Sequence, residues 1–248
     1  MRQRMLPDIF TVAWKEFREI LTFGDTRGRS KFSLLILILI FGIVVPLQNG
    51  REWVRSPISI LVWGWMPFLW VSGIVADLFA GERERHTLES LLATRLSDQA
   101  ILFGKLLAAL TYGFTLTWVI MFVSVVTINI VFRGDGFLFF PAGIALGALV
   151  FSFLVSGLSA SVGVLVSLRA GSVRQAQQMM SAGMLVLFLP IMLIQFIPKA
   201  WLVSIGNMLE SVQPVKVAFW AAIVLLVIEL VLIAIARRLF QRSKLILD

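Results

Sequence analysis

The chain has 248 residues, of which 59% are hydrophobic and only 15% charged, and its mean hydropathy is +0.93. A soluble domain is nearer half apolar and a quarter charged, so lipid must be the solvent for much of this surface. The net charge of +8 would suggest nucleic acid on a soluble protein, but the basic residues stand between apolar runs and report topology instead. With no cysteine in the chain, disulfides and thiolate metal sites are excluded. The apolar segments are long and continuous, unlike the short alternating stretches of an outer-membrane barrel, which predicts a helical bundle.

Residues 8–23 are amphipathic: Phe10, Ala13, Trp14, Phe17, Ile20 and Leu21 share one helical face, and Thr11, Lys15, Arg18, Glu19 and Thr22 the other. Pro7 and Asp8 supply a start. Such a basic helix with Trp and Phe on its apolar side suits the membrane interface, although a soluble partner would also cover it. The first apolar run begins at Phe32 without a small-x-small cleavage site, so it reads as an uncleaved span.

Six spans are predicted, at 32–48, 57–80, 100–131, 138–168, 177–197 and 214–236. The first is short, about 25 Å as a helix. The second and sixth open on Pro57 and Pro214. The third is longer than hydrocarbon requires, so one end must project or tilt. The fourth has Pro141 near its start, and Pro190 is expected to kink the fifth. If the N-terminus is inside, only Arg51, Arg55, Arg133, Lys199 and Lys216 of the 22 basic residues fall outside. That bias places both termini in the cytoplasm and supports an even span count. Segment 198–213 is apolar at helical spacing (Trp201, Leu202, Ile205, Met208, Leu209, Val212) and predicts a short interfacial or re-entrant helix pair.

Between the second and third spans the chain reads Asp77-Leu-Phe-Ala-Gly-Glu82-Arg-Glu84-Arg-His-Thr87-Leu-Glu89-Ser-Leu-Leu92, then Ser97 and Gly104-Lys105. A charged link leads into a short helix from Thr87 with Leu88, Leu91 and Leu92 as its apolar stripe. Ser97 is placed to cap the third span. On these residues alone, a rigid knob for another protein and a solvated connector both stand.

The pattern acidic-x-acidic, Thr-Leu-Glu, Leu-Leu, Ser, Gly-Lys resembles the permease subunit of type-2 ABC (ATP-binding-cassette) exporters. The amphipathic helix at 8–23 is similar to that family's interfacial elbow, and segment 198–213 to its re-entrant helices. Two positions depart from the pattern: His86 stands where the family usually has glycine, and Arg95 where it often has proline. The resemblance implies that Glu82, Glu84, Thr87, Leu88, Glu89, Leu91 and Leu92 form the coupling-helix region on an ATPase subunit. It places Arg169 and Arg174, in the loop 169–178, near the same partner, although topology-setting charge explains them as well. It also implies a pathway lined by the second and fifth spans, where Trp63, Trp70, Met184, Phe188 and Gln195 are the candidates. The working unit would be a dimer of permeases in the cell membrane.

The chain has no G-x-x-x-x-G-K-[ST] loop. It is therefore not expected to be an enzyme or to hold a cofactor itself; ATP and magnesium would be bound and hydrolysed in the partner chain. His86 is the only histidine, which rules out H-E-x-x-H zinc sites, and there is no G-x-S-x-G elbow. Glu229 lies deep in the sixth span, where an acid is either a functional group or a structural hydrogen bond, with Arg237 and Arg238 or polar groups of neighbouring helices as partners. The fourth span is rich in small residues, and Gly143 and Gly147 form a small-xxx-small pair suited to close helix contact. The rival readings are a secondary transporter or channel and a non-transporting membrane scaffold. Against the first stand the single deep acid and the lack of an internal repeat.

Overall fold

The computed structural model describes residues 5–23, 28–56, 58–132, 136–194 and 214–240. All regular elements among them are helical. An amphipathic helix α1 (Met5–Phe23) is followed by α2 (Gly28–Leu39), a π turn (Ile40–Val44) and α3 (Val45–Asn49). Next come α4 (Glu52–Arg55), α5 (Ile58–Val75), α6 (Asp77–Glu84) and the short α7 (Leu88–Leu92). The long helices α8 (Asp98–Val131), α9 (Ala142–Arg169), α10 (Val173–Ile194) and α11 (Pro214–Leu239) complete the bundle.

Four stretches are long and apolar enough to cross a membrane: Ser59–Glu84, Asp98–Val131, Ala142–Arg169 and Lys216–Leu239. Among the described residues the fold is thus all-helical, with four helices suited by length and composition to cross a membrane. The expected first span is a shorter apolar helix, Leu34–Asn49. The expected fifth span falls on α10, which opens on Arg174, Gln175, Gln177 and Gln178 before an apolar run from Met179 to Ile194. Segment 198–213 lies outside the described residues.

Local departures from regular helix each have a partner. Widening at Ile40–Val44 frees backbone carbonyls, and Thr127 Oγ1 of α8 donates to Gly42 O at 2.8 Å. Gly42 is itself a contact point, since a Cβ there would come within 2.8 Å of Val123 Cγ1. The expected second span breaks at Ala76, between α5 and α6. Ser167 Oγ from α9 fills that break, accepting from Phe79 N (3.1 Å) and Ala80 N (2.9 Å) and donating to Ala76 O (3.1 Å). The expected fourth span starts later than its apolar run, at Ala142. The residues before it are held by Asn129, whose amide donates to Leu138 O (2.7 Å) and accepts from Leu138 N (2.8 Å).

Helix α9 is the centre of the bundle, packed by α5, α8 and α11, and its small residues make those contacts close. Gly147 meets Ile60, Gly163 meets Val75, and Gly157 receives the Glu229 carboxylate. Gly143, the other half of the expected pair, has nothing within 4 Å of where its Cβ would be. One core cluster gathers Trp53, Trp63, Met66, Trp70, Ile120 and Ile144; a second gathers Val71, Phe79, Ile101, Leu106, Val164 and Phe240. Only 6% of the apolar window of α11 is buried, so most of that helix faces outward.

Candidate functional site

Charged side chains from α1, α6 and the start of α8 converge, with α1 packed along α8. Lys105, one of the largest fully buried side chains, lies within the first turns of α8. Its ammonium donates to Leu78 O (2.9 Å) and Glu82 Oε1 (2.8 Å) and lies 3.1 Å from Glu16 Oε1. The same ammonium stands 5.2 Å from the Phe79 ring centroid. Glu16 and Glu82 are also buried. Three helices distant in sequence are therefore tied by one ion cluster whose members have almost no water to fall back on.

Gly104 explains how α1 comes close enough. A Cβ at that position would lie 2.5 Å from Val12 Cγ1 and 3.1 Å from Ile9 O, so the backbones can approach only because the side chain is missing. The Gly-Lys pair thus has a structural meaning: the glycine admits α1, and the lysine beside it bonds Glu16 of α1 and Glu82 of α6. Lys15 continues the network outward, 3.3 Å from Glu16 Oε1 and 3.4 Å from Glu19 Oε2. Burial pulls the Lys15 pKa down, but the two carboxylates outweigh that and hold it above the ordinary lysine value. Helix α1 buries Val12, Ala13 and Glu16 against α8 and leaves Leu6, Phe10, Trp14 and Leu21 exposed as a separate apolar stripe.

The next residues of the link cap neighbouring helices. Arg83 donates to Ala170 O (2.7 Å) and Leu168 O (3.0 Å), satisfying carbonyls at the end of α9. Glu84 Oε1 accepts from Val173 N (3.0 Å) at the start of α10, where a carboxylate also suits the helix dipole. Arg85 pairs with Asp77 at 3.3 Å on the surface. The link therefore binds the 169–173 turn on one side and Lys105 on the other.

Helix α7 follows from this framework. Leu88 is buried and Leu91 packs on the core, while Glu89, Ser90, Ala93 and Arg95 are exposed on the other face. Thr87 Oγ1 donates back to Glu82 O at 3.3 Å. Ser97 caps α8, accepting from Ala100 N at 3.1 Å, as its position predicts. His86, which turns the chain from α6 into α7, has φ = 54°, the only non-glycine with positive φ among the described residues. The glycine that the resemblance leads one to expect there is the residue this conformation favours. His86→Gly is expected to raise stability by about 0.5–1 kcal/mol, and His86→Ala to leave the strain in place. Chemical denaturation of the purified protein in mild detergent checks both.

Among the remaining sequence-derived candidates, Glu82 turns inward to Lys105, whereas Glu84, Thr87, Glu89, Arg169 and Arg174 are at the surface. The side chain of Leu92 lies outside the described residues, as do that of Phe188 and the whole of Gln195. Trp63 and Trp70 are packed inside this one chain; Trp63 stands edge-on to Trp53 (5.6 Å) and Phe140 (6.3 Å). Met184 is half-buried against Phe68, Val155 and Met180. Glu229 is buried beside Gly157, and Arg237, a partner expected from sequence, reaches Gln99 instead (2.8 and 3.2 Å, with the amide oxygen toward the guanidinium).

Sequence reasoning missed Glu16, Arg83 and Ser167. For Glu16 a signal existed: a lysine inside an apolar span demands buried carboxylates, and an unassigned acid on an amphipathic helix is one source.

The family model described as "ABC-2 type transporter" matches residues 7–209. ABC transporter permease protein NatB of Bacillus subtilis (strain 168) is 31% identical over 165 residues, covering 60% of this chain and 41% of that protein. The chain thus matches about two fifths of that relative's length.

Proposed function

We propose that this chain, which belongs to the ABC-2 type transporter family, acts as the membrane-spanning subunit of an ATP-driven exporter, two copies or two paralogues standing on two ATPase subunits. Family membership makes it a permease component of an ABC transporter, and its helices make it multi-pass. In the finer reading, α2 to α3 and α10 complete six spans, both termini are cytoplasmic, the membrane is the cell membrane, and segment 198–213 dips into the outer leaflet. ATP and magnesium belong to the partner. Helix α1 lies along the inner interface with Leu6, Phe10, Trp14 and Leu21 in lipid.

The observation that carries this reading is the exposed face of α7 mounted on a rigid base. Glu89, Ser90, Ala93 and Arg95 present a polar ledge. Beneath it, Glu82 is fixed to Lys105, Arg83 to the end of α9, and Glu84 to the start of α10. A push on the ledge by an ATPase closing on ATP would pass to α1, α8, α9 and α10 together and shift one permease against the other. The substrate path would then open at the interface between the two copies, along α5 and α10. The apolar character of those helices favours an amphipathic or lipid-like cargo.

The test is co-isolation of the tagged full chain from its native membrane. An ATPase subunit should accompany it, and Glu89→Arg should reduce that recovery by about tenfold without changing the amount of permease in the membrane. A chain that never brings down an ATPase, and whose deletion leaves efflux intact, would overturn the proposal.

A further inference from the structure

Away from the polar end, α11 carries its one acid against α9. Glu229 is about 15 Å along the helix from Leu239 at 1.5 Å per residue. It lines a cavity of about 270 Å³ between α1, α8, α9 and α11, open on one side. The other walls are largely apolar: Ile9, Phe103, Leu110 and Ile233 are among them. No described residue supplies a hydrogen bond or ion pair to the Glu229 carboxylate. A second wall residue, Ser161, is 1% exposed, and its hydroxyl is also without a hydrogen-bond partner. The Ser161 hydroxyl is sealed within the wall, so it is the Glu229 carboxylate, unpartnered in an apolar cavity of a membrane protein, that calls for a guest.

The chemistry of that guest is narrow. A hard divalent cation needs about six oxygen ligands, and the described residues contain no cluster of three or more His, Cys, Asp or Glu. An anion is excluded by the carboxylate. A neutral hydrocarbon would leave the acid unanswered. An organic ammonium can donate to Glu229 and leave its alkyl chain to the apolar walls. A cavity of about 150 Å³ takes benzene, so the 270 Å³ of this open groove holds a single chain of roughly ten heavy atoms.

We infer that the Glu229 cavity is a binding site for a single-chain hydrophobic ammonium. It does not depend on the transport reading, because the cavity is formed within one chain. The position of the carboxylate is set by Gly157: a Cβ there would overlap Glu229 Oε1. Alanine at 157 therefore keeps the charge but displaces it.

The experiment is binding of radiolabelled n-octylamine to the full chain in phosphatidylcholine nanodiscs, with partition into empty nanodiscs subtracted. Wild type should bind it saturably at one per chain, with excess octanol or octanoate displacing little. Glu229→Gln should weaken binding by roughly 10- to 100-fold, the worth of a hydrogen bond to a charged group. Gly157→Ala should weaken it too, which keeps the test decisive if the glutamine variant fails to fold. Equal binding by both variants, or equal displacement by octanol, would overturn the inference. Loss of binding when nanodiscs contain phosphatidylethanolamine would overturn the single-chain class in favour of a lipid headgroup.

Discussion

Lys105→Ala is expected to lower stability by about 3–5 kcal/mol and to release α1 from the bundle. The reason is asymmetric. Lys105 is 1% exposed, and removing it leaves Glu16 and Glu82 facing each other as buried carboxylates without the charge that joined them. Glu82 Oε2 is already buried without a partner, so that residue has no second bond to retreat to. Loss should show as a lower denaturation midpoint in mild detergent and as faster amide exchange across α1. A change under about 1 kcal/mol would mean that the cluster is wetter than its geometry implies. The triple variant Lys105→Met, Glu16→Gln, Glu82→Gln separates strength from function. Neutral, well-packed replacements of a buried ion cluster often cost little, so most of the stability should return. If the transport activity proposed above does not return with it, the charges transmit motion between α1, α6 and α8. If it does, they only hold the helices together.

The apolar framework was legible because hydropathy is local: the cores of α5, α8, α9 and α11 follow from continuous apolar runs alone. Ser97 was legible for the same reason, since a cap bonds three residues away. What stayed hidden was pairing across the fold. Nothing near Glu16 in the sequence points to Lys105, and the two carboxylates that answer Lys105 come from different elements. Trp63 and Trp70 are pathway candidates only through the resemblance, which implies a path along the second span; that Trp63 turns against Trp53 and Phe140 is visible only in the structure. Likewise Arg83 reads as one more basic residue of a charged link until the end of α9 is brought beside it. The resemblance of 82–105 to a known pattern located the important region, but the reason Gly104 and Lys105 stand together is visible only in the contact with α1.

Ser167→Ala is the second large effect, with an expected cost of about 2–4 kcal/mol. The serines of the fourth span look from sequence like packing residues. Ser167 differs because it faces the break between α5 and α6 at Ala76. At Ala76 the chain leaves α5 and restarts as α6, so the first N–H groups of α6 and the carbonyl of Ala76 need outside partners. The Ser167 hydroxyl meets Phe79 N, Ala80 N and Ala76 O within 3.1 Å, and it is wholly buried. Alanine removes the hydroxyl that meets these groups. Ser167→Thr keeps the hydroxyl and should cost less, about 1–2 kcal/mol from crowding. The consequence reaches beyond stability, because α6 carries Glu82, Arg83 and Glu84. A loosened start to α6 should raise amide exchange over 77–84 more than over the rest of the bundle. It should also weaken the caps on α9 and α10, while leaving the Trp53, Trp63 and Phe140 cluster at the other end unchanged. Uniform destabilisation in the alanine variant, with no excess exchange over 77–84, would show that Ser167 is ordinary packing and that the break at Ala76 is held by other contacts.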